Sequence, residues 1–253
     1  MYQGKIMKKL TLLTLVLTVS TSINAFAFDG DYDLGVFQLN RGEFKAAISE
    51  FTPLLAEEYA PAQYQMAMVY LNGYGVRKNK DKALELIKQA AAQNYPDALF
   101  NLSVLYTEGE LVKKNLKTAF NYMKKAANKN MPSAQFNLGV MFANGEGTPV
   151  DPSRAARWYE KAARQNYVLA QYNLALMYFE GKGVRLNLQE SYIWNTIAAK
   201  SGYTPAMKSR AMDESKLGLK DIQIARDIAE KRYQQILEQV DLRTQELTKK
   251  PLL

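Results

Sequence analysis

The sequence of 253 residues contains no histidine and no cysteine. The two commonest protein ligands of zinc are therefore missing. Serine or cysteine nucleophiles also lack the imidazole base that usually activates them. A carboxylate pair remains possible, since glycosidases need only two acids about 5 to 9.5 Å apart. These absences favour a protein that binds over an enzyme, and they predict no metal and no cofactor.

The chain repeats itself every 36 residues without an insertion. The clearest marks of this period are four alanines, Ala62, Ala98, Ala134 and Ala170. They define four blocks, 60–95, 96–131, 132–167 and 168–203. In the first block Ala62, Met66, Val69 and Tyr70 share one face at 100° per residue, which is typical of an amphipathic helix. A fixed period of this size indicates stacked supersecondary units.

Each block contains the signals that end one helix and begin another. One glycine column predicts that the first helix ends in the left-handed conformation, at Gly73, Gly109, Gly145 and Gly181. Three blocks add a second glycine, at Gly75, Gly147 and Gly183. The second block has Leu111 there, which predicts a different turn. The next helix has a side chain suited to capping its N-terminus at Asn79, Asn115, Asp151 and Asn187.

The second helix of each block carries small residues that permit close packing. The first of them are Ala83, Ala119, Ala155 and Ser191, and pairs of alanines follow near the helix end. Large residues lie between them, at Leu86, Tyr122, Trp158 and Trp194. The unit is therefore a two-helix hairpin, which buries its apolar face only against its neighbours.

The third block shows the combined pattern best. Its repeated positions are Ala134, Phe136, Leu138, Gly139, Phe142, Gly145, Gly147, Ala155, Trp158, Tyr159, Lys161, Ala162 and Ala163. This pattern resembles the Sel1-like repeat, a relative of the tetratricopeptide repeat. The resemblance covers residues 60–203 and implies an all-α, right-handed α-solenoid that acts as an adaptor or scaffold for protein complexes. Some Sel1-like proteins carry a cysteine pair in each repeat, so this chain departs from that subgroup and their activities do not transfer to it.

The flanking segments resemble degenerate units that close the array. Residues 28–59 predict a tetratricopeptide-like capping hairpin, and residues 204–253 predict capping helices followed by a tail. There Lys208 and Arg210 replace the aromatic and leucine columns. An amphipathic helix is expected from Asp221 to about Arg243, with a frayed tail after it. The whole solenoid should therefore contain about six helix pairs.

The N-terminus resembles an export signal. Lys8 and Lys9 precede an apolar run, and small residues follow at Ala25 and Ala27. The run is short for a membrane span, so we expect cleavage after residue 27 and a periplasmic or secreted protein. Retention as a membrane anchor is the alternative. Translation beginning at Met7 fits the same pattern.

The charge is unevenly distributed along the chain. Residues 28–59 carry a net charge of −5, whereas residues 60–131 carry +6. The second block alone holds six lysines, including Lys113, Lys114 and Lys117. Such a stripe suits an acidic partner or an anionic polymer, although ordinary solvated helix faces explain it more simply. Export and the absence of a recognised module argue against nucleic acid.

The expected partner surface lies on the first helices, which line the concave face by analogy with tetratricopeptide arrays. An amide side chain recurs there in every block, as Gln65, Asn101, Asn137 and Asn173. A second polar row lies beside it, comprising Asn72, Glu108, Asn144 and Glu180. Amides offer both a donor and an acceptor, so the first row suits an extended backbone. Bracing of neighbouring repeats by hydrogen bonds is the alternative reading.

The sequence therefore predicts an exported scaffold or regulatory adaptor that binds a protein partner in the cell envelope. Binding of an envelope glycan is an alternative. A carboxylate-based envelope hydrolase is a further one, since Glu108, Glu110, Glu146 and Glu180 cluster at the turns.

Overall fold

The computed structural model describes residues 30–249, so the expected export signal lies outside the described residues. The described chain forms twelve α-helices and no strand. Their bounds are α1 (Tyr32–Asn40), α2 (Phe44–Ala56), α3 (Ala60–Asn72), α4 (Lys80–Ala92), α5 (Pro96–Glu108), α6 (Leu116–Asn128), α7 (Pro132–Asn144), α8 (Pro152–Ala163), α9 (Val168–Glu180), α10 (Leu188–Lys200), α11 (Thr204–Glu214) and α12 (Leu219–Lys249). Each helix from α1 to α10 packs on the next one in the chain, which gives a solenoid of helical hairpins.

The predicted helix ends are confirmed. The four column glycines have φ between +67° and +83°, and each follows the last residue of a first helix. All four predicted caps accept a hydrogen bond from the backbone N–H three residues on, as Asp151 does from Arg154 at 2.8 Å. These bonds satisfy amides that a helix N-terminus otherwise leaves unpaired.

The second glycine of each turn allows one repeat to approach the previous one closely. A Cβ built on Gly147 would lie 2.1 Å from the carbonyl oxygen of Leu116, at the start of α6. A Cβ on Gly183 would lie 2.3 Å from the Pro152 carbonyl. The turn with Leu111 differs, as predicted, since Leu111 is absent from the residues with positive φ. The glycines therefore set the spacing between repeats as well as the turn.

A second stop column was missed by the sequence analysis. Asn94, Asn130 and Asn166 follow the second helices with φ of 61° to 62°, and Gly202 takes the equivalent place with φ of 78°. Asparagine tolerates this conformation better than other residues with a side chain. The signal was present in the sequence as a third column of asparagines.

Helix α12 is longer than predicted. It begins at Leu219 and continues to Lys249, so the expectation of a frayed tail directly after Arg243 is wrong. The sequence contains no proline or glycine between Leu219 and Lys249, and nothing local therefore stops the helix.

Helix α12 packs on α10 and covers a face that the other second helices expose. Every residue of α10 from Ser191 to Ala199 is buried. Arg232 joins the two helices, donating to both oxygens of Glu190 at 2.6 and 3.0 Å. Its guanidinium also lies 5.0 Å from the ring centroid of Trp194. The bond to Glu190 raises the pKa of Arg232, so the guanidinium stays charged.

A buried polar cluster joins α10 to α11. Asp213 is fully buried. At the equivalent position the four repeats carry an apolar residue, namely Val69, Leu105, Met141 and Met177. Asp213 accepts hydrogen bonds from the Ser191 hydroxyl at 3.0 Å and from Asn195 Nδ2 at 2.8 Å. Burial raises the pKa of Asp213, and these two bonds and Lys216 oppose the rise.

We expect Asp213 to make the protein less stable as the pH rises. Its pKa is higher in the folded than in the unfolded chain, so the folded state holds the proton over a pH range in which the unfolded state has lost it. The free energy of unfolding therefore falls as the pH rises from about 4 through the raised pKa. Asp213→Asn removes this ionisation and should flatten the dependence, with stability at pH 7 unchanged or higher by up to about 1 kcal/mol.

Urea unfolding at several pH values tests this expectation. Asp227→Asn is the control, since Asp227 is exposed on α12 and accepts a hydrogen bond from Gln223 of the same helix. A marked loss of stability in Asp213→Asn at neutral pH would show that the carboxylate is required in its ionised form.

Candidate partner-binding surfaces

The four amides predicted to face a ligand are half-buried, and they differ in what they bond. Asn101 donates to the Tyr64 hydroxyl of the preceding repeat at 2.5 Å, and Gln65 donates to Tyr32 at 3.4 Å. Asn137 donates instead to the Ser133 carbonyl of its own helix at 2.8 Å. Asn173 has no side-chain hydrogen bond to any residue described. The amides at the N-terminal end therefore contact the neighbouring unit, whereas Asn137 and Asn173 do not bond it among the described residues.

The aromatic column explains this difference. The residue that precedes Asn101 by 37 positions is a tyrosine, whereas Asn137 and Asn173 are preceded at that distance by Phe100 and Phe136. Phenylalanine has no hydroxyl group, so the bond that Asn101 makes to the preceding repeat cannot form at Asn137 or Asn173. The tyrosine-to-phenylalanine change was visible in the sequence and distinguishes the braced amide from the unbraced ones.

A double-mutant cycle on Asn101 and Tyr64 should measure the bracing bond. We expect Asn101→Ala and Tyr64→Phe each to lower the free energy of unfolding by about 1 kcal/mol, because each removes one half-buried hydrogen bond. The double variant should cost less than the sum, since both changes remove the same bond. Asn173→Ala is the matched control and should leave stability within about 0.5 kcal/mol. Strictly additive effects in the cycle would contradict the bond.

The second predicted row lies at the helix ends and is exposed to solvent, as are Lys113, Lys114 and Lys117. Asn72 donates to the Met68 carbonyl, and Asn144 donates to Glu146 at 2.8 Å. Glu108 lines a small pocket between α5 and α7 together with Asn137 and Glu146, with a volume of about 190 Å³. The structure therefore brings one amide of the first row together with one carboxylate of the second. Lys113, Lys114 and Lys117 do not line this pocket.

A larger groove lies where α12 passes the end of α8, and sequence analysis did not predict it. Its volume is about 770 Å³. Trp158 and Lys161 of α8 form one wall, and Val240 and Arg243 of α12 form the other. The Lys161 ammonium lies 4.1 Å from the ring centroid of Trp158. Three cations and no carboxylate line the groove, namely Lys161, Arg164 and Arg243.

Arg243 lines this groove and contacts residues that are distant from it in the sequence. It donates to the side chain of Gln165, and to the Asn130 carbonyl at 2.9 Å. Both partners are neutral, and Arg243 forms no ion pair within residues 30–249. Arg164 differs, because Glu160 accepts from it at 2.7 Å. Lys161 and Arg243 thus present two positive charges beside an aromatic face, neither of them in an ion pair with a residue that the structure describes.

The described residues contain no group of three or more acidic side chains that could hold a metal ion. Nor does any helix among them have the length and apolar character needed to cross a membrane. An array of helical hairpins with open surfaces defines a protein of the interaction-scaffold class.

The comparison with protein families identifies the family. The Sel1 repeat model matches residues 60–95, 96–131, 132–167 and 168–203, which together make up more than half of the chain. The protein belongs to the Sel1 repeat family. A comparison with curated proteins finds no match.

Solved structures show the same fold. A Sel1 repeat protein from Oxalobacter formigenes is 25% identical with a TM-score of 0.70, covering 82% of this chain and 85% of its own. The protein c5321, a protective antigen of uropathogenic Escherichia coli with an SLR fold, is 24% identical with a TM-score of 0.53. That alignment covers 88% of this chain and 58% of c5321. These likenesses support the helical-repeat solenoid.

Proposed function

We propose that this protein is an exported scaffold that binds an acidic segment of a protein partner in the groove between α8 and α12. The observation that carries the proposal is the lining of this groove, which combines Trp158 with two uncompensated cations and no carboxylate. Sel1 repeats generally mediate protein interactions. The groove supplies both apolar area and a charge that selects the partner.

Each part of the groove has a separate role in this proposal. Trp158 is half-buried, so its exposed face offers contact area to an apolar side chain of the partner. Lys161 and Arg243 attract carboxylates, which raises the association rate and excludes basic segments. Gln239 and Asn128 lie along the same lining and can bond a peptide backbone.

The second repeat offers a matched control for the groove. Tyr122 and Lys125 of α6 occupy the same columns as Trp158 and Lys161, with the ammonium 5.8 Å from the ring centroid. Neither residue lines the groove. A charge reversal at Lys125 therefore changes the same kind of surface without touching the proposed site.

Photo-crosslinking in cells tests the binding surface. A photoreactive residue at Gln239, exposed in the groove, should capture an acidic peptide that mass spectrometry identifies, whereas one at exposed Gln89 of α4 should not. Lys161→Glu should lower the affinity for that partner at least about tenfold, equivalent to about 1.4 kcal/mol of binding free energy. Lys125→Glu should have little effect on this affinity. Capture of a glycan fragment at Gln239, or equal effects of the two reversals, would overturn the proposal.

Export determines the compartment in which the protein meets its partner, and a separate experiment tests it. We propose that residues 1–27 are removed and that the mature chain begins at Phe28 in the periplasm. The support is the lysine pair before a short apolar run and the small residues after it. Cell fractionation with N-terminal sequencing should find a chain that starts at Phe28 in the periplasmic fraction. A full-length chain in the cytoplasm or the membrane would contradict this part.

A further inference from the structure

A second cavity, partly open to solvent, lies between α10, α11 and α12 of the C-terminal cap. Its volume is about 360 Å³. Tyr192, Thr196 and Lys200 of α10 line it, together with Arg210 and Glu214 of α11 and Arg226 and Glu230 of α12. It shares no lining residue with the groove between α8 and α12.

Two buried polar atoms in this lining have no partner. They are Thr196 Oγ1 and Arg210 Nε, and neither forms a hydrogen bond with any residue described. Thr196 is 8% exposed. Buried hydroxyl and guanidinium groups are normally hydrogen-bonded, and leaving one unpaired costs about 1 to 3 kcal/mol. A group that is absent from the protein itself would satisfy both atoms.

The charges around the cavity leave one cation uncompensated. Lys200 pairs with Glu230 at 2.6 Å, and Arg226 lies 3.9 Å from Glu214, which also accepts from the Tyr192 hydroxyl. Arg210 forms no ion pair within residues 30–249. Three cations and two carboxylates thus face the cavity, and the excess is a single positive charge.

Arg210 also breaks the pattern of the repeats. The equivalent positions are Met66, Leu102, Leu138 and Leu174, and all four are buried in the core. The capping unit therefore places a guanidinium where every complete repeat has an apolar side chain.

We infer that the cavity between α10, α11 and α12 binds a small carboxylate, held by Arg210 and by the hydroxyl of Thr196. A guanidinium matches the two oxygens of a carboxylate with paired N–H donors. The Thr196 hydroxyl donates a further hydrogen bond to it. One negative charge neutralises the excess at Arg210, which disfavours dianions of the same size. The carboxylate belongs either to a free organic acid or to the C-terminus of a short peptide.

Arg210→Leu is the decisive variant, because it restores the leucine of the complete repeats. Its melting temperature without ligand should equal or exceed that of the parent, so lost binding cannot be attributed to unfolding. Lys208→Leu is the control, since Lys208 is exposed on the same helix, loses the same charge and does not line the cavity.

Saturation-transfer NMR measures binding with acetate, N-acetyl-diglycine and its amide as probes, at constant ionic strength in chloride. The parent and Lys208→Leu should show saturable contacts with the carboxylates and none with the amide, and Arg210→Leu should lose at least about tenfold in affinity. Preference for acetate identifies a free acid, and preference for the acetylated peptide identifies a chain terminus. Absence of saturable binding in the parent, or equal binding by Arg210→Leu, would overturn the inference.

Discussion

Gly147→Ala is expected to destabilise the protein by about 2 to 5 kcal/mol, the sum of left-handed backbone strain and overpacking. Gly147 has φ of +72°, and its Cβ would lie 2.1 Å from the Leu116 carbonyl oxygen and 2.6 Å from its carbonyl carbon. Backbone atoms at the start of α6 cannot yield as a flexible side chain does. The substitution should therefore push the third repeat away from the second one.

Gly202→Ala separates the two contributions. Gly202 has φ of +78°, but nothing lies within 4 Å of a Cβ built on it. The change should therefore cost only the strain, about 1 to 2 kcal/mol. Urea unfolding followed by circular dichroism measures both variants. Equal losses would show that the close approach between repeats contributes nothing and that the glycine column serves only the turn.

The second large effect is expected for Trp194→Ala. This change should lower the free energy of unfolding by about 3 to 5 kcal/mol. Trp194 is 1% exposed, and Arg232 of α12 stacks over its ring. Removing the indole leaves a cavity between α10 and α12 and weakens the attachment of the cap. The thermal melt of Trp194→Ala should therefore begin well below that of the parent.

Trp158 provides the internal comparison, because it occupies the same column one repeat earlier. It is half-buried and lines the groove beside α12. Trp158→Ala should cost roughly half as much stability, in proportion to the apolar area that it buries. Its main effect should instead be weaker binding of the partner that the crosslinking experiment identifies. A larger loss of stability at Trp158 than at Trp194 would contradict the packing of α12.

The local features were predictable because they depend on a few neighbouring residues. Gly145 ends a helix in the left-handed conformation, and Asp151 caps the next helix, for reasons that lie within one turn of the chain. The column of Asn94, Asn130 and Asn166 follows the same rule and could have been found. The repetition itself then predicts that hairpin packs on hairpin.

Contacts between repeats depend on the residue type that the preceding repeat places opposite each amide. Asn101 bonds the neighbouring unit because residue 64 is tyrosine, and Asn137 cannot do so because residue 100 is phenylalanine. Exposure was harder to predict. The helical wheel placed these amides on an open face, whereas the adjacent repeats leave them half-buried.

The sequence by itself determined the period, the helix ends and the family of this protein, since these follow from local backbone preferences repeated in phase. Only the tertiary structure decided where α12 goes. Its return over α10 buries Trp194, leaves Trp158 beside an open groove and places Arg210 in the lining of a partly open cavity. Helix α12 does not belong to the repeat, so no internal symmetry specifies its direction. Its path depends on pairings distant in sequence, such as Arg232 with Glu190 and Arg243 with Asn130. The local sequence pattern does not predict such pairings.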